Sequence, residues 1–191
     1  QRIGIEAATM PVSRFNRLSG ALASRAPTPL NTKTPCAVLV PEERIVERSR
    51  IIKDEHEIGT LRKAAALLSR VAREAVPGFV CPGRREMDVA AAIDGAMRDA
   101  GFERPAFETI VASGPQSALP HARPSARVLR AGDPVLLDFG GVYDGYCVDL
   151  TRTVQLAPSD AEFRRIFAAV AAAHDAAVAA VRPGVLTTDI D

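Results

Sequence analysis

Asp138 and Asp149 are the residues best placed to do chemistry in this 191-residue chain. They lie eleven positions apart in Val135-Leu136-Leu137-Asp138-Phe139-Gly140-Gly141-Val142-Tyr143-Asp144-Gly145-Tyr146-Cys147-Val148-Asp149-Leu150-Thr151-Arg152-Thr153. Asp144-Gly145 supplies the positive φ of a two-residue hairpin turn, and strand-favouring residues flank it. With the turn centred there, Tyr143 faces Tyr146, Val142 faces Cys147 and Gly140 faces Asp149. Alternation puts Asp138 on the same face as Gly140, and therefore as Asp149. The carboxylates are then diagonal neighbours, roughly 7–8 Å apart at the backbone and closer at their tips. Two carboxylates pointing into one space repel unless a proton or a cation neutralises them. A pair of divalent ions about 3.5–4 Å apart fits between them and could activate a water. Surface carboxylates on a two-faced hairpin are the alternative. Against it, Asp138 ends the run Val135-Leu136-Leu137 and Asp149 lies between Val148 and Leu150, so both strands are expected to be largely buried, and buried charges need partners.

The whole stretch resembles the metal-binding hairpin of the pita-bread metallopeptidases, the family of Xaa-Pro dipeptidases, aminopeptidase P and methionine aminopeptidases. Asp138, Asp149 and Thr151-Arg152-Thr153 match its motif in residue type and spacing. Upstream, Phe107-Glu108-Thr109-Ile110-Val111-Ala112-Ser113-Gly114 and Leu119-Pro120-His121 resemble the strand and loop that deliver an active-site histidine, and Gly132-Asp133 also fits. Gln116 departs from the pattern, which usually has Asn there.

The resemblance implies an α+β pita-bread fold, incomplete in this chain, preceded by a remnant of an α/β N-terminal domain. Residues 1–50 would be that remnant with its linker, and 51–191 the first half of the catalytic domain. It implies hydrolysis of the bond preceding proline by a metal-bridged hydroxide. Asp149 would bridge two divalent ions and Asp138 hold one of them, with manganese first and cobalt or zinc open. His121 would stand near the developing oxyanion. Phe107 and Ile110 match positions lining the substrate pocket, though apolar strand core explains them equally well. A proline-containing peptide is the implied substrate and a homodimer the implied intact assembly.

A histidine and two glutamates complete the site in relatives, from a half that is not expected within these residues. The chain therefore reads as a fragment, inactive alone. The segment before Asp54 favours the Xaa-Pro and creatinase-like branch. A non-catalytic pita-bread module for peptide binding or assembly, or a same-fold hydrolase of a small non-peptide substrate, is the alternative.

Composition sets the frame. Hydrophobic residues make up 47%, enough to bury a core, and 24 basic against 23 acidic residues give a net charge of +1. That interspersed balance offers neither a nucleic-acid footprint nor a membrane-surface patch. No apolar run reaches the roughly 20 residues of a membrane span, and the opening lacks the order of a signal peptide, so a cytoplasmic setting is expected. Cys36, Cys81 and Cys147 are too scattered for a disulfide framework and read as reduced thiols, Cys147 as a buried one packed beneath the site.

The elements that must position these groups follow from pattern. A strand is expected at Arg2–Glu6, without the sheet it should join, then a helix near Ser13–Ser24, a loop over 25–35 and a strand at Cys36–Val40. The first long helix starts at Asp54, with Glu57 as capping-box partner. It buries Ile58, Leu61, Ala65, Leu68, Ala72 and Ala75, and Pro77-Gly78 stops it. A second helix, Arg85–Ala100, buries Val89, Ile93, Ala96 and Met97 and ends at Gly101. A third starts with Ser159 capping and Glu162 three on, and runs through Phe163, Ile166, Phe167, Val170 and Val178 to Val181. His56 and His174 fall on helices and read as structural, which leaves His121 as the loop histidine. The edge where a second half should dock is expected to expose an apolar patch.

Overall fold

The computed structural model describes residues 2–23, 37–158 and 160–191, and the chain divides into two compact units, Gln1–Glu55 and His56–Asp191. Cys36, Ser159 and the loop at 25–35 lie outside the described residues.

In the first unit, β1 (Arg2–Glu6) pairs in parallel with β2 (Val38–Glu42), Ile3 opposite Leu39. The opening strand thus has a sheet partner, contrary to expectation. The connection between them includes α1 (Val12–Ala23), and a short helix, α2 (Ile45–Ser49), follows in what read as a charged connection. Five residues carry too little periodicity to be seen as a helix in sequence.

The second unit packs helices on one face of an antiparallel sheet. Helix α3 (Glu55–Glu74) buries Thr60, Ala64, Leu68 and Val71, whereas Ala65 is exposed. The buried stripe is rotated from the expected one because the alanines at 64–66 leave the phase of the pattern ambiguous, and Leu68 with Val71 decides it. Pro77-Gly78 does not end the helical path. A single turn, α4 (Val76–Phe79), follows at once with its proline in the first turn, where the missing N–H costs nothing.

Helix α5 (Glu86–Asp99) buries Val89, Ile93 and Met97 as expected, and Gly101 (φ 101°) closes it. These side chains meet Val135, Leu137 and Phe139 of the sheet in one apolar cluster. Fully burying each such side chain contributes about 1.5–3 kcal/mol.

The sheet runs β3 (Arg104–Pro105), β5 (Pro134–Tyr143), β4 (Ile110–Ser113), with β6 (Tyr146–Gln155) also paired to β5. Helix α6 (Ala161–Ala180) follows the sheet, capped by Asp160, whose carboxylate accepts from Phe163 N at 2.6 Å. Asp160 takes the role expected of Ser159. None of α6's described residues is buried: Ile166, Phe167 and Val170 are exposed, Phe163 stacks on Phe167, and a groove of about 530 Å³ runs between this face and Thr151–Thr153 of β6. Among the described residues no helix is long and apolar enough to cross a membrane.

Candidate metal centre and substrate pocket

The β5–β6 hairpin forms in the register the turn dictates. Asp144 (φ 49°) and Gly145 (φ 74°) make the turn, Gly140 pairs with Asp149 and Asp138 with Thr151, unbroken from Tyr143↔Tyr146 to Pro134↔Gln155. Asp138 and Asp149 consequently share one face. Thr151 Oγ1 donates to Asp138 Oδ1 at 3.0 Å across the strand pair.

The Asp149 pKa is pushed above its ordinary value. Lost hydration comes first among the causes, then the Asp138 charge and the hydrogen bond between the two carboxyls, while the Leu150 amide opposes them. The residue as a whole remains exposed, so water screens much of this push and its energetic weight is small.

Exposure of Asp149 corrects the expectation of two buried strands. Along β6 the face carrying Cys147, Asp149 and Thr151 is open, and only the opposite face, with Val148 and Leu150, packs toward the core. Cys147 is exposed for the same reason, not packed beneath the carboxylates, and Cys81 is exposed as well.

The other candidate residues gather beside this face. Ile110 is the register partner of Asp138 on β4, so their side chains stand on the same side of the sheet. Phe107 reaches Gly140: a Cβ added there would lie 2.7 Å from Phe107 Cε1 and would also collide with Val148 O. Phe107, Ile110 and His121 then line a single pocket of about 300 Å³, with Glu108 and Arg123 at its rim as a 3.5 Å ion pair. His121 sits in an exposed turn in the left-handed region, φ 59°. The pocket thus borders the carboxylate pair through Ile110 and Phe107.

Sequence reasoning missed two supports of this arrangement. Gly140 leaves room for the Phe107 ring, and a Gly-Gly pair inside a strand is the signal of such close approach. A polar network under the loop between Ser113 and Leu129 was also missed. In it Arg127 Nη1 donates to Asp133 Oδ2 at 2.7 Å and to Ser113 Oγ at 2.5 Å. Arg127 holds Asp133 below the usual carboxylate range, and Asp133 in turn raises the guanidinium.

Two hard, acceptor-only carboxylates that already repel each other suit a divalent cation. Among the described residues no group of three or more His, Cys, Asp or Glu side chains is gathered to hold one.

Comparison with known proteins decides the family. The profile of metallopeptidase family M24 matches residues 59–191. The chain belongs to metallopeptidase family M24. Over 148 residues it is 43% identical to "Probable dipeptidase PepE" of Mycobacterium tuberculosis, covering 77% of this chain and 39% of that protein. Over 147 residues it is 36% identical to the Xaa-Pro dipeptidase of Pyrococcus furiosus, covering 77% of this chain and 42% of that one. The whole chain superposes on 51% of the X-Pro aminopeptidase of Thermotoga maritima with a TM-score of 0.87 at 31% identity. The fold of this M24 chain is therefore the pita-bread fold, incomplete, and the chain spans half or less of the length of these curated relatives.

Proposed function

We propose that this M24 chain belongs to a manganese-dependent peptidase that cleaves the bond preceding proline, in dipeptides or at the N-terminus of longer peptides. The observation that carries the reading is the Asp138–Asp149 pair opening beside the pocket formed by Phe107, Ile110 and His121. Asp138 and Asp149 would hold the ions, with further ligands from outside the described residues. Bound there, divalent ions supply electrophilic polarisation and a lowered water pKa.

The chain's own residues supply the rest. Thr151 orients Asp138 through its 3.0 Å hydrogen bond. The Phe107 ring and Ile110 give the pocket an apolar floor suited to a small side chain. His121, on an exposed turn at the pocket's edge, offers a donor toward the oxygen of a scissile carbonyl. The relatives named as dipeptidase and aminopeptidase fit either substrate length. Residues 1–50 we assign to the end of an N-terminal creatinase-like domain, and 51–191 to the first catalytic half.

The test is a fusion of residues 1–191 to the remaining half of the Pyrococcus furiosus relative, assayed on an Xaa-Pro dipeptide and an Xaa-Pro-Xaa tripeptide. Cleavage that needs added manganese and disappears in Asp149→Asn is expected. Cleavage indifferent to Asp149→Asn would overturn the assignment.

A further inference from the structure

Glu86, in the first turn of α5, is the one charged side chain among the described residues that is fully buried, at 0% exposure, and the proposed chemistry does not use it. Burying a carboxylate is costly unless its oxygens are satisfied. Here neutral donors satisfy them. Oε1 accepts from Ser113 N at 2.8 Å and Ser113 Oγ at 2.6 Å. Oε2 accepts from Ser125 N at 3.1 Å and Ser125 Oγ at 2.6 Å. Gln116 completes the shell, 3.0 Å from Oε2 when its amide nitrogen is turned to the carboxylate.

The placement of these donors is specific. Ser113 ends β4 and Ser125 closes the loop that follows, and His121 lies between them. Each carboxylate oxygen therefore takes one end of the His121 loop. The clamp is reinforced from both sides: Arg127 N donates to Ser125 Oγ at 3.1 Å, Arg127 Nη1 donates to Ser113 Oγ, and the amides of Glu86 and Met87 donate to Arg127 O and Ser125 O at 3.0 and 3.1 Å. Only an acceptor on both oxygens can serve two such donor pairs. A glutamine would turn an NH2 group toward one of them.

We infer that Glu86 is a positioning residue for His121, fixing the span of its loop through Ser113 and Ser125 so that the imidazole stands at the pocket edge with Phe107 and Ile110. This rests on the reading of His121 as the substrate-facing histidine. The chain has three histidines, and His56 on α3 and His174 on α6 serve as internal references. The experiment compares imidazole Cε1–Hε1 NMR signals of the 191-residue chain with those of Glu86→Gln and Ser125→Ala. Ile93→Val, which weakens the same helix without touching the network, is the control.

The expected result is a His121 signal that shifts or splits in Glu86→Gln and in Ser125→Ala, with His56 and His174 unmoved and all three unmoved in the control. A His121 signal coincident with the parent in both variants overturns the inference. So does a joint shift of all three signals, which would make Glu86 a general stability residue. Should Glu86→Gln fail to fold, Ser125→Ala decides by the same criterion, since it removes a hydroxyl from the loop side alone. The readout needs no turnover, so its failure and failure of the peptidase reading are separable.

Discussion

Gly140 faces Asp149 across the hairpin, and the ring of Phe107 occupies the space a side chain at 140 would fill. This contact joins the carboxylate pair to the pocket lined by Phe107, Ile110 and His121. Gly140→Ala forces both the Phe107 ring and the Val148 carbonyl to move, and the latter is backbone. Overpacking of this kind costs roughly 1–3 kcal/mol. Urea denaturation of the variant should show that loss, and an unchanged midpoint would mean that the ring and the Val148 carbonyl both give way freely.

Asp138 supports the raised pKa of Asp149 by charge and by hydrogen bond, after lost hydration. Asp138→Asn should therefore lower the Asp149 pKa toward the ordinary carboxylate value without restoring it fully. Because the folded-state pKa is raised, the contribution of Asp149 to metal-free stability is complete below the ordinary carboxylate pKa and is lost as pH rises through the folded value. Carboxyl NMR titration of the two proteins checks the shift. Identical Asp149 titrations would mean the carboxyls do not interact.

Asp133 behaves with the opposite sign. Its pKa is held down chiefly by the hydrogen bond from Arg127, so the stability it contributes is present above the ordinary carboxylate pKa and fades as pH falls through the lower folded value. Both side chains are mostly shielded, 21% and 14% exposed. Asp133→Asn should cost roughly 1–3 kcal/mol near neutral pH and flatten the acid limb of a stability–pH curve. A variant as acid-sensitive as the parent would contradict this.

The uncovered face of α6, with Phe167 and Val170 48% and 64% exposed, should make the isolated chain self-associate or bind an apolar dye. Phe167→Asp should reduce both without loss of fold. A monomer on sizing chromatography that binds no dye would refute the expectation.

What could be read in the sequence was local. The Asp144-Gly145 turn and strand alternation fix the register from Tyr143↔Tyr146 outward, and caps such as Gly101 are set by neighbouring residues. What could not be read depends on distant partners. Glu86 looks like an ordinary acidic residue in a helix's first turn, since its partners lie 27 and 39 residues away. The exposure of Asp149 and Cys147 turns on what covers β6, which alternation does not specify. The phase of α3 was lost among alanines that suit either face.

Two carboxylates fall short of the about six oxygen ligands a hard divalent ion takes. Residues 1–191 with added manganese should therefore not cleave an Xaa-Pro dipeptide. Measurable turnover would show that the described residues already complete a working site.

The most direct test is a manganese titration of the 191-residue chain followed by electron paramagnetic resonance, beside Asp138→Asn and Asp149→Asn. Weak binding by the parent, reduced by at least roughly tenfold in either variant, is the predicted result. Equal manganese binding in all three proteins would contradict the assignment of Asp138 and Asp149 as the chain's metal ligands.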